Sequence, residues 1–177
     1  GGADVRRELM DSGLFFAYEL GELTSQEMHR AVRHLFGRPI TQESLERATS
    51  DIFWRNESIE PVIDQLSATG LPLLLLSNTC EAHFRWVDAR MPVLRRFPRR
   101  VLSFETHTCK PHSAIFHAAA HAAGVTPAEC FFTDDTPGHV EAARQLGFDA
   151  VVYSDTPQLR TDLCVRGLLD VMERRSP

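Results

Sequence analysis

Residues 71–79 read Leu-Pro-Leu-Leu-Leu-Leu-Ser-Asn-Thr, an apolar run that ends in three polar residues. A run that is apolar on both faces is typical of a strand buried between two layers of helices, as in a parallel sheet. We therefore predict a buried strand over residues 71–76, followed by a polar carboxyl end at Ser77, Asn78 and Thr79.

The chain after this run alternates between short apolar stretches and helical patterns. Strands are predicted over residues 101–104, 130–133 and 150–153, and helices over residues 81–87, 113–123, 137–146 and 156–174. Strands that alternate with helices of this length imply right-handed crossovers. The expected fold class is α/β, a Rossmann-like open parallel sheet with helices on both faces.

The first 70 residues contain helical patterns and no convincing strand. Thr24 and Glu27 form a capping box, and Gly37 ends the helix that follows it. Thr41 opens a further helix whose apolar face is expected to include Ile52 and Phe53. We predict a small α-helical cap and a return helix over residues 1–69, and an α/β core over residues 70–177.

Composition excludes several classes of protein. The net charge of −5 gives no field that favours nucleic acid, and the basic stretch at residues 95–100 is expected to be a solvated surface. No apolar run reaches the roughly 18 residues of a membrane helix. Four widely spaced cysteines predict free thiols in a reducing compartment, hence a cytoplasmic protein. Separately, we expect a monomer or a homodimer.

Polar residues follow three of the predicted strands, where ligands bind in parallel sheets. Ser77 and Asn78 could hold a phosphoryl oxygen, and Lys110 could neutralise its charge. The adjacent carboxylates Asp134 and Asp135 are hard oxygen ligands that suit Mg²⁺. Together the five side chains predict a site for an anion and a metal.

Four of these residues also have an ordinary structural interpretation. Ser77 could cap the next helix, and Lys110 could be a surface residue before Pro111. Asp134 could accept hydrogen bonds in a loop, and Asp135 could cap the following helix. The conjunction of all five at successive strand ends favours the site.

The spacing of three motifs resembles the haloacid dehalogenase superfamily of hydrolases. They are Leu-Leu-Leu-Leu-Ser-Asn-Thr at 73–79, Cys-Lys-Pro at 109–111, and the segment Cys-Phe-Phe-Thr-Asp-Asp-Thr-Pro-Gly-His-Val-Glu-Ala-Ala-Arg-Gln-Leu-Gly at 130–147. Residues 18–24 are similar to the helical cap of its sugar-phosphate phosphatase branch, close to α-D-glucose-1-phosphate phosphatases and the phosphatase domain of bifunctional epoxide hydrolases.

The resemblance implies a role for each candidate residue. Ser77 would hydrogen-bond the transferring phosphoryl group with Asn78 beside it, and Lys110 would offset the charge of nucleophile and phosphate. Asp135 would bind Mg²⁺ directly, and Asp134 would support the metal shell. The implied activity is Mg²⁺-dependent hydrolysis of a small phosphorylated metabolite through an aspartyl-phosphate intermediate.

Two features depart from the family pattern. The family's nucleophile lies in an Asp-x-Asp motif after a first strand, whereas this chain opens on a helical pattern that contains Asp4 and no such motif. We expect about 20 to 35 further residues upstream in the natural protein, enough for one strand and a connection. His139 stands where these phosphatases often carry Asn, and its ring could still donate a hydrogen bond.

Three other interpretations stay open at this stage. A metal-independent 2-haloacid dehalogenase would not need the acidic pair, and a non-catalytic relative could bind a phosphorylated ligand or a partner without turnover. His117 and His121 have a spacing that can bind a metal, although a helix face is expected. Four aromatic residues could line the closed site or pack the cap, namely Phe15, Phe16, Tyr18 and Trp54.

Overall fold

The computed structural model describes the backbone of residues 2–170 and the side chains of residues 7–170. Its first part consists of five helices: α1 (Gly2–Asp11), α2 (Leu14–Glu19), α3 (Ser25–Phe36), α4 (Gln42–Ser50) and α5 (Glu60–Ala68). Strands and helices then alternate, in the order β1 (Leu74–Ser77), α6 (Glu81–Arg90), β2 (Arg99–Leu102), α7 (Ser103–Thr106), α8 (Ser113–Ala123), β3 (Phe131–Asp134), α9 (Pro137–Gln145), β4 (Asp149–Val152) and α10 (Thr156–Val165).

Local signals set the ends of α3 as predicted. The Thr24 hydroxyl accepts the Glu27 N–H, and the Glu27 carboxylate accepts the Thr24 N–H, so the capping box is confirmed. Gly37 follows the helix with a φ of 58°, a conformation that costs glycine little. Asp4 lies in α1, and its side chain is outside the described residues.

The four strands form two parallel pairs. Leu76 of β1 is in register with Val101 of β2, and Phe132 of β3 is in register with Ala150 of β4. The predicted parallel pairing is confirmed, but within residues 2–170 no strand hydrogen bonds join β1 to β3.

Helices cover both faces of the strands. On one face, Leu76 and Phe132 pack with α8 and α9 around the buried Phe116. On the other face, Phe131 packs with α5 and α10. Both strand pairs therefore contribute to one layered core, as alternating strands and helices require. No helix among the described residues is long and apolar enough to cross a membrane.

Helices α1 to α4 form a separate cluster, which we call the helical lobe. Its buried side chains include Tyr18, Met28 and Val32, and it also contains Cys80 and Ala82 at the beginning of α6. The lobe therefore packs directly on the segment that follows β1. The division at residues 69 and 70 stays a prediction.

The predicted end of the second strand is wrong by two residues. β2 ends at Leu102, and Ser103 begins the short helix α7. This turn lets the buried Ser103 hydroxyl accept the Thr79 N–H and donate to the Thr79 carbonyl, both at 2.9 Å. These two hydrogen bonds join the segments that follow β1 and β2, and they are the local reason why β2 ends at Leu102.

Two predicted helices also end earlier than expected. α4 stops at Ser50, so Ile52 and Phe53 lie outside it and are exposed. α10 ends at Val165 rather than residue 174, because Gly167 adopts a φ of 66° and Leu168 N–H bonds back to Leu163. Residues 171–174 of that prediction lie outside the described part of the chain.

Candidate active site

Ser77 is the last residue of β1 and is half-buried. Its hydroxyl makes one long contact, 3.4 Å to the Asn78 carbonyl oxygen. A contact of that length is weak, so the hydroxyl can rotate toward a ligand at the carboxyl edge of the strands.

The Asn78 side chain joins the ends of two chain segments. Its amide nitrogen donates to the Lys110 carbonyl at 2.9 Å, and its amide oxygen accepts the Lys110 N–H at 2.8 Å. Both ends of the amide are therefore used to position Lys110. A direct contact between Asn78 and a phosphoryl group stays a prediction.

The Lys110 ammonium lies across the space between β1 and β3. It donates to the Leu76 carbonyl at 3.1 Å and to Asp134 Oδ2 at 2.5 Å. Both charged side chains are only 8% exposed, so the prediction of Lys110 as a possible surface residue is wrong. A buried cation held by two acceptors keeps one further N–H for a ligand.

The Asp134 carboxylate is almost fully engaged. Besides Lys110, it accepts the Thr136 N–H at 2.8 Å and the His139 Nδ1 proton at 3.0 Å. Burial alone would raise the pKa of Asp134, but Lys110, the Thr136 N–H and His139 together hold it below its usual value. Asp134 is thus an ionised carboxylate whose orientation is fixed by three partners.

Asp135 has a different environment. It is exposed, and among the described residues its carboxylate receives only the Thr136 hydroxyl at 3.4 Å. The residue before α9 is Thr136, so the interpretation of Asp135 as the cap of that helix is wrong. Its oxygens remain available to a cation beside the anchored Asp134.

The residues at this edge suit a magnesium ion that takes part of its coordination shell from water and substrate. They do not suit a metal ion that is held entirely by protein side chains. Within the described residues, no group of three or more His, Cys, Asp or Glu side chains could hold a metal, and this includes His117 and His121. Mg²⁺ typically uses one or two carboxylates and completes its shell with water and substrate phosphate. Asp135, with Asp134 behind it, provides such carboxylates.

The end of α2 meets the loop that leads to Lys110. The His107 Nδ1 atom lies 2.8 Å from the Leu20 carbonyl, and His107 has a φ of 53°. A Cβ on Gly21 would lie 2.1 Å from the Phe104 carbonyl oxygen, so only glycine allows this approach. These contacts place Glu19, which sequence reasoning missed, beside the 107–110 loop.

The four aromatic candidates separate into two groups. Tyr18 is buried and packs the lobe, and its hydroxyl accepts the Ala82 N–H at 3.1 Å. Phe15 packs against His83 and is partly buried. Phe16 and Trp54 are exposed, Trp54 by 90%.

Known proteins resemble this chain in sequence. The family model for haloacid dehalogenase-like hydrolases matches residues 12–147. A curated relative, D-ribitol-5-phosphate phosphatase from Bacteroides thetaiotaomicron, is 26% identical over 92% of this chain and 82% of its own length.

Solved structures share the fold. A haloacid dehalogenase family enzyme from Bacteroides thetaiotaomicron, in complex with magnesium, matches with a TM-score of 0.75 and 27% identity over 84% of this chain and 79% of that chain. A haloacid dehalogenase-like hydrolase from Porphyromonas gingivalis matches with a TM-score of 0.79 and 25% identity, over 92% and 84%. The predicted α/β fold class and hydrolase superfamily are confirmed, and the name of the ribitol relative agrees with the predicted phosphoric monoester hydrolase.

Proposed function

The chain belongs to the haloacid dehalogenase-like hydrolases, and from that membership we propose that it is a Mg²⁺-dependent phosphatase of a small phosphorylated metabolite. The observation that carries the proposal is the buried Lys110–Asp134 pair beside the exposed Asp135. An ammonium ion and a free carboxylate at one edge suit a phosphate ester and its metal.

The protein's own groups have separate roles in the proposed reaction. The third N–H of Lys110 and the Ser77 hydroxyl bind the oxygens of the phosphoryl group. Asn78 holds the Lys110 backbone, and Asp134 holds its ammonium. Asp135 would hold Mg²⁺, which when bound neutralises phosphate charge.

The proposed chemistry has two displacement steps. A carboxylate attacks phosphorus, the ester P–O bond breaks, and the leaving oxygen takes a proton from a neighbouring carboxylic acid, which regains one from the water of the second step. Water then attacks the aspartyl phosphate, which releases inorganic phosphate and restores the carboxylate. Residues 1–177 contain no Asp-x-Asp motif to supply that nucleophile, so the assay uses a chain extended by the upstream residues that we expect.

Two observations bear on the substrate and on the competing activity. The relative named D-ribitol-5-phosphate phosphatase supports a sugar or polyol phosphate as substrate. A metal-independent dehalogenase has no need for Asp135, so this carboxylate favours the phosphatase. A cytoplasmic location, a monomeric or dimeric state and the absence of nucleic-acid or membrane partners stay predictions.

The test is hydrolysis of p-nitrophenyl phosphate and D-ribitol 5-phosphate with Mg²⁺ or with EDTA. We expect activity that requires Mg²⁺ and that is lost in Asp135→Asn. Glu141→Gln is the matched control, because this exposed carboxylate lies on α9 and has Arg144 as its ion-pair partner. Activity in EDTA, or no hydrolysis of either ester, would reject the proposal.

A further inference from the structure

The last turn of α2 is fixed against the loop that carries Lys110. The Leu20 carbonyl lies against the ring of His107, the residue that follows α7. Gly21 closely approaches the Phe104 carbonyl within α7. Tyr18, the residue before Glu19, is bonded to the first turn of α6. Residues on both sides of Glu19 are therefore held to the segments that follow β1 and β2.

Glu19 is half-buried, yet among the described residues its carboxylate has no hydrogen bond and no ion pair. Burial raises the pKa of this carboxyl above its usual value. Burial also raises the pKa of the Cys80 and Cys109 thiols, and the nearby Glu19 charge raises both further. Cys80 lies three residues after Ser77, and Cys109 precedes Lys110, so Glu19 lies near residues that flank the candidate site.

A half-buried carboxylate without a partner is costly unless a ligand supplies hydrogen-bond donors. A phosphate group would be repelled by it, whereas hydroxyl groups would donate to both of its oxygens. The charges on the two sides of the site thus favour different parts of one ligand. The Lys110 side suits the phosphoryl group, and the Glu19 side suits a carbon chain that carries hydroxyl groups.

We propose that Glu19 is a specificity-determining residue that accepts hydrogen bonds from the hydroxyl groups of a polyol or sugar phosphate. This inference rests on the proposed phosphatase function and extends it to the substrate class. Trp54 is exposed on the loop after α4, but nothing in the structure defines its ligand, and it is not part of the inference.

The experiment compares Glu19→Ala and Glu19→Gln with wild type on two esters. D-ribitol 5-phosphate carries hydroxyl groups, and p-nitrophenyl phosphate carries none. Loss of two charge-assisted hydrogen bonds predicts a rise of about tenfold or more in KM for D-ribitol 5-phosphate in Glu19→Ala. KM for p-nitrophenyl phosphate is expected to stay unchanged, and Glu19→Gln should be milder because the amide oxygen still accepts.

Glu22→Gln is the matched control, since Glu22 is an exposed carboxylate three residues further along the chain. Equal changes in KM for both esters, or no change for either, would overturn the assignment of Glu19. Circular dichroism of each variant separates a folding defect from a binding defect. Glu19→Gln carries the test if Glu19→Ala does not fold.

A calorimetric arm separates failure of this inference from failure of the proposed function. If the wild type hydrolyses neither ester, the phosphatase proposal fails, but binding still reports on Glu19. Wild type should then bind D-ribitol 5-phosphate more tightly than inorganic phosphate, and Glu19→Ala should lose that difference. Equal affinities for the two ligands in wild type would overturn the inference.

Discussion

The carboxyl edge of the strands and the lobe surface that faces it differ in how completely their polar groups are hydrogen-bonded. At the strand edge, Lys110 and Asp134 are buried, paired and held by further partners. On the lobe side, Glu19 has no such partner among the described residues. The bonded Lys110–Asp134 pair is preorganised for one chemistry, whereas the unpaired Glu19 carboxylate is available to select a ligand.

The lobe is not loosely attached despite this difference. Tyr18 OH hydrogen-bonds Ser25 at 2.7 Å, and the Ser25 hydroxyl donates to Glu81 at the beginning of α6. The unpaired state of Glu19 therefore does not come from a poorly packed helix.

Breaking the buried pair at the strand edge should have the largest effect. Lys110→Met leaves the Asp134 carboxylate buried without its cation, which is expected to cost about 3 kcal/mol of unfolding free energy and to abolish hydrolysis. Urea unfolding measures the first effect. The double variant Lys110→Met with Asp134→Asn should recover part of that stability without activity, and a purely additive loss would contradict the coupling.

Asp135→Asn separates the metal carboxylate from the anchored one. Because Asp135 is exposed with one weak contact, we expect unchanged stability together with a loss of activity of about 100-fold or more. Steady-state kinetics at saturating Mg²⁺ and a thermal melt of the same sample check both. A variant that keeps full activity would show that Asp135 has no part in the site.

Tyr18→Phe tests the bonded interior of the lobe. It removes a hydroxyl that is joined to Ser25 and to the Ala82 N–H, so about 1 to 2 kcal/mol of stability should be lost. Tyr153→Phe is a partly exposed control whose loss should be smaller. Equal denaturation midpoints for Tyr18→Phe and wild type would show that the network adds no stability.

The smallest expected effect is a dependence of folding stability on pH that comes from His83. This ring is buried against Phe15 and Phe53, its Nε2 has no hydrogen-bond partner among the described residues, and burial lowers its pKa below 6.5. The unfolded chain therefore binds the proton first, and stability should fall as pH drops below about 6.5. In urea unfolding at several pH values, His83→Leu should reduce the dependence of the unfolding free energy on pH. His121→Gln, a substitution at an exposed histidine, should not.

Sequence patterns predicted the elements and the residues that share the strand edge. Apolar runs gave the parallel strands, and residues such as Ser77 and Asp135 could be grouped because the carboxyl ends of parallel strands share one edge. The capping box was visible because its two residues are three apart. These signals are local or follow from topology.

The contacts that organise the site could not be read in the same way. The pairing of Asn78 with the Lys110 backbone joins residues 32 apart, and that of Ser103 with Thr79 joins residues 24 apart. Glu19 lies in the segment 18–24 that resembles the family's cap, but its role depends on which loop the end of α2 meets. Ile52 and Phe53 fit a helical period, but α4 ends before them.

The central claim is that this edge binds phosphate together with Mg²⁺. Isothermal titration of inorganic phosphate into the 177-residue chain tests it without needing a nucleophile. We predict binding in Mg²⁺ that is lost in EDTA and in Asp135→Asn but kept in Glu141→Gln. Phosphate binding that is equal in Mg²⁺ and EDTA, or absent in both, would contradict the account.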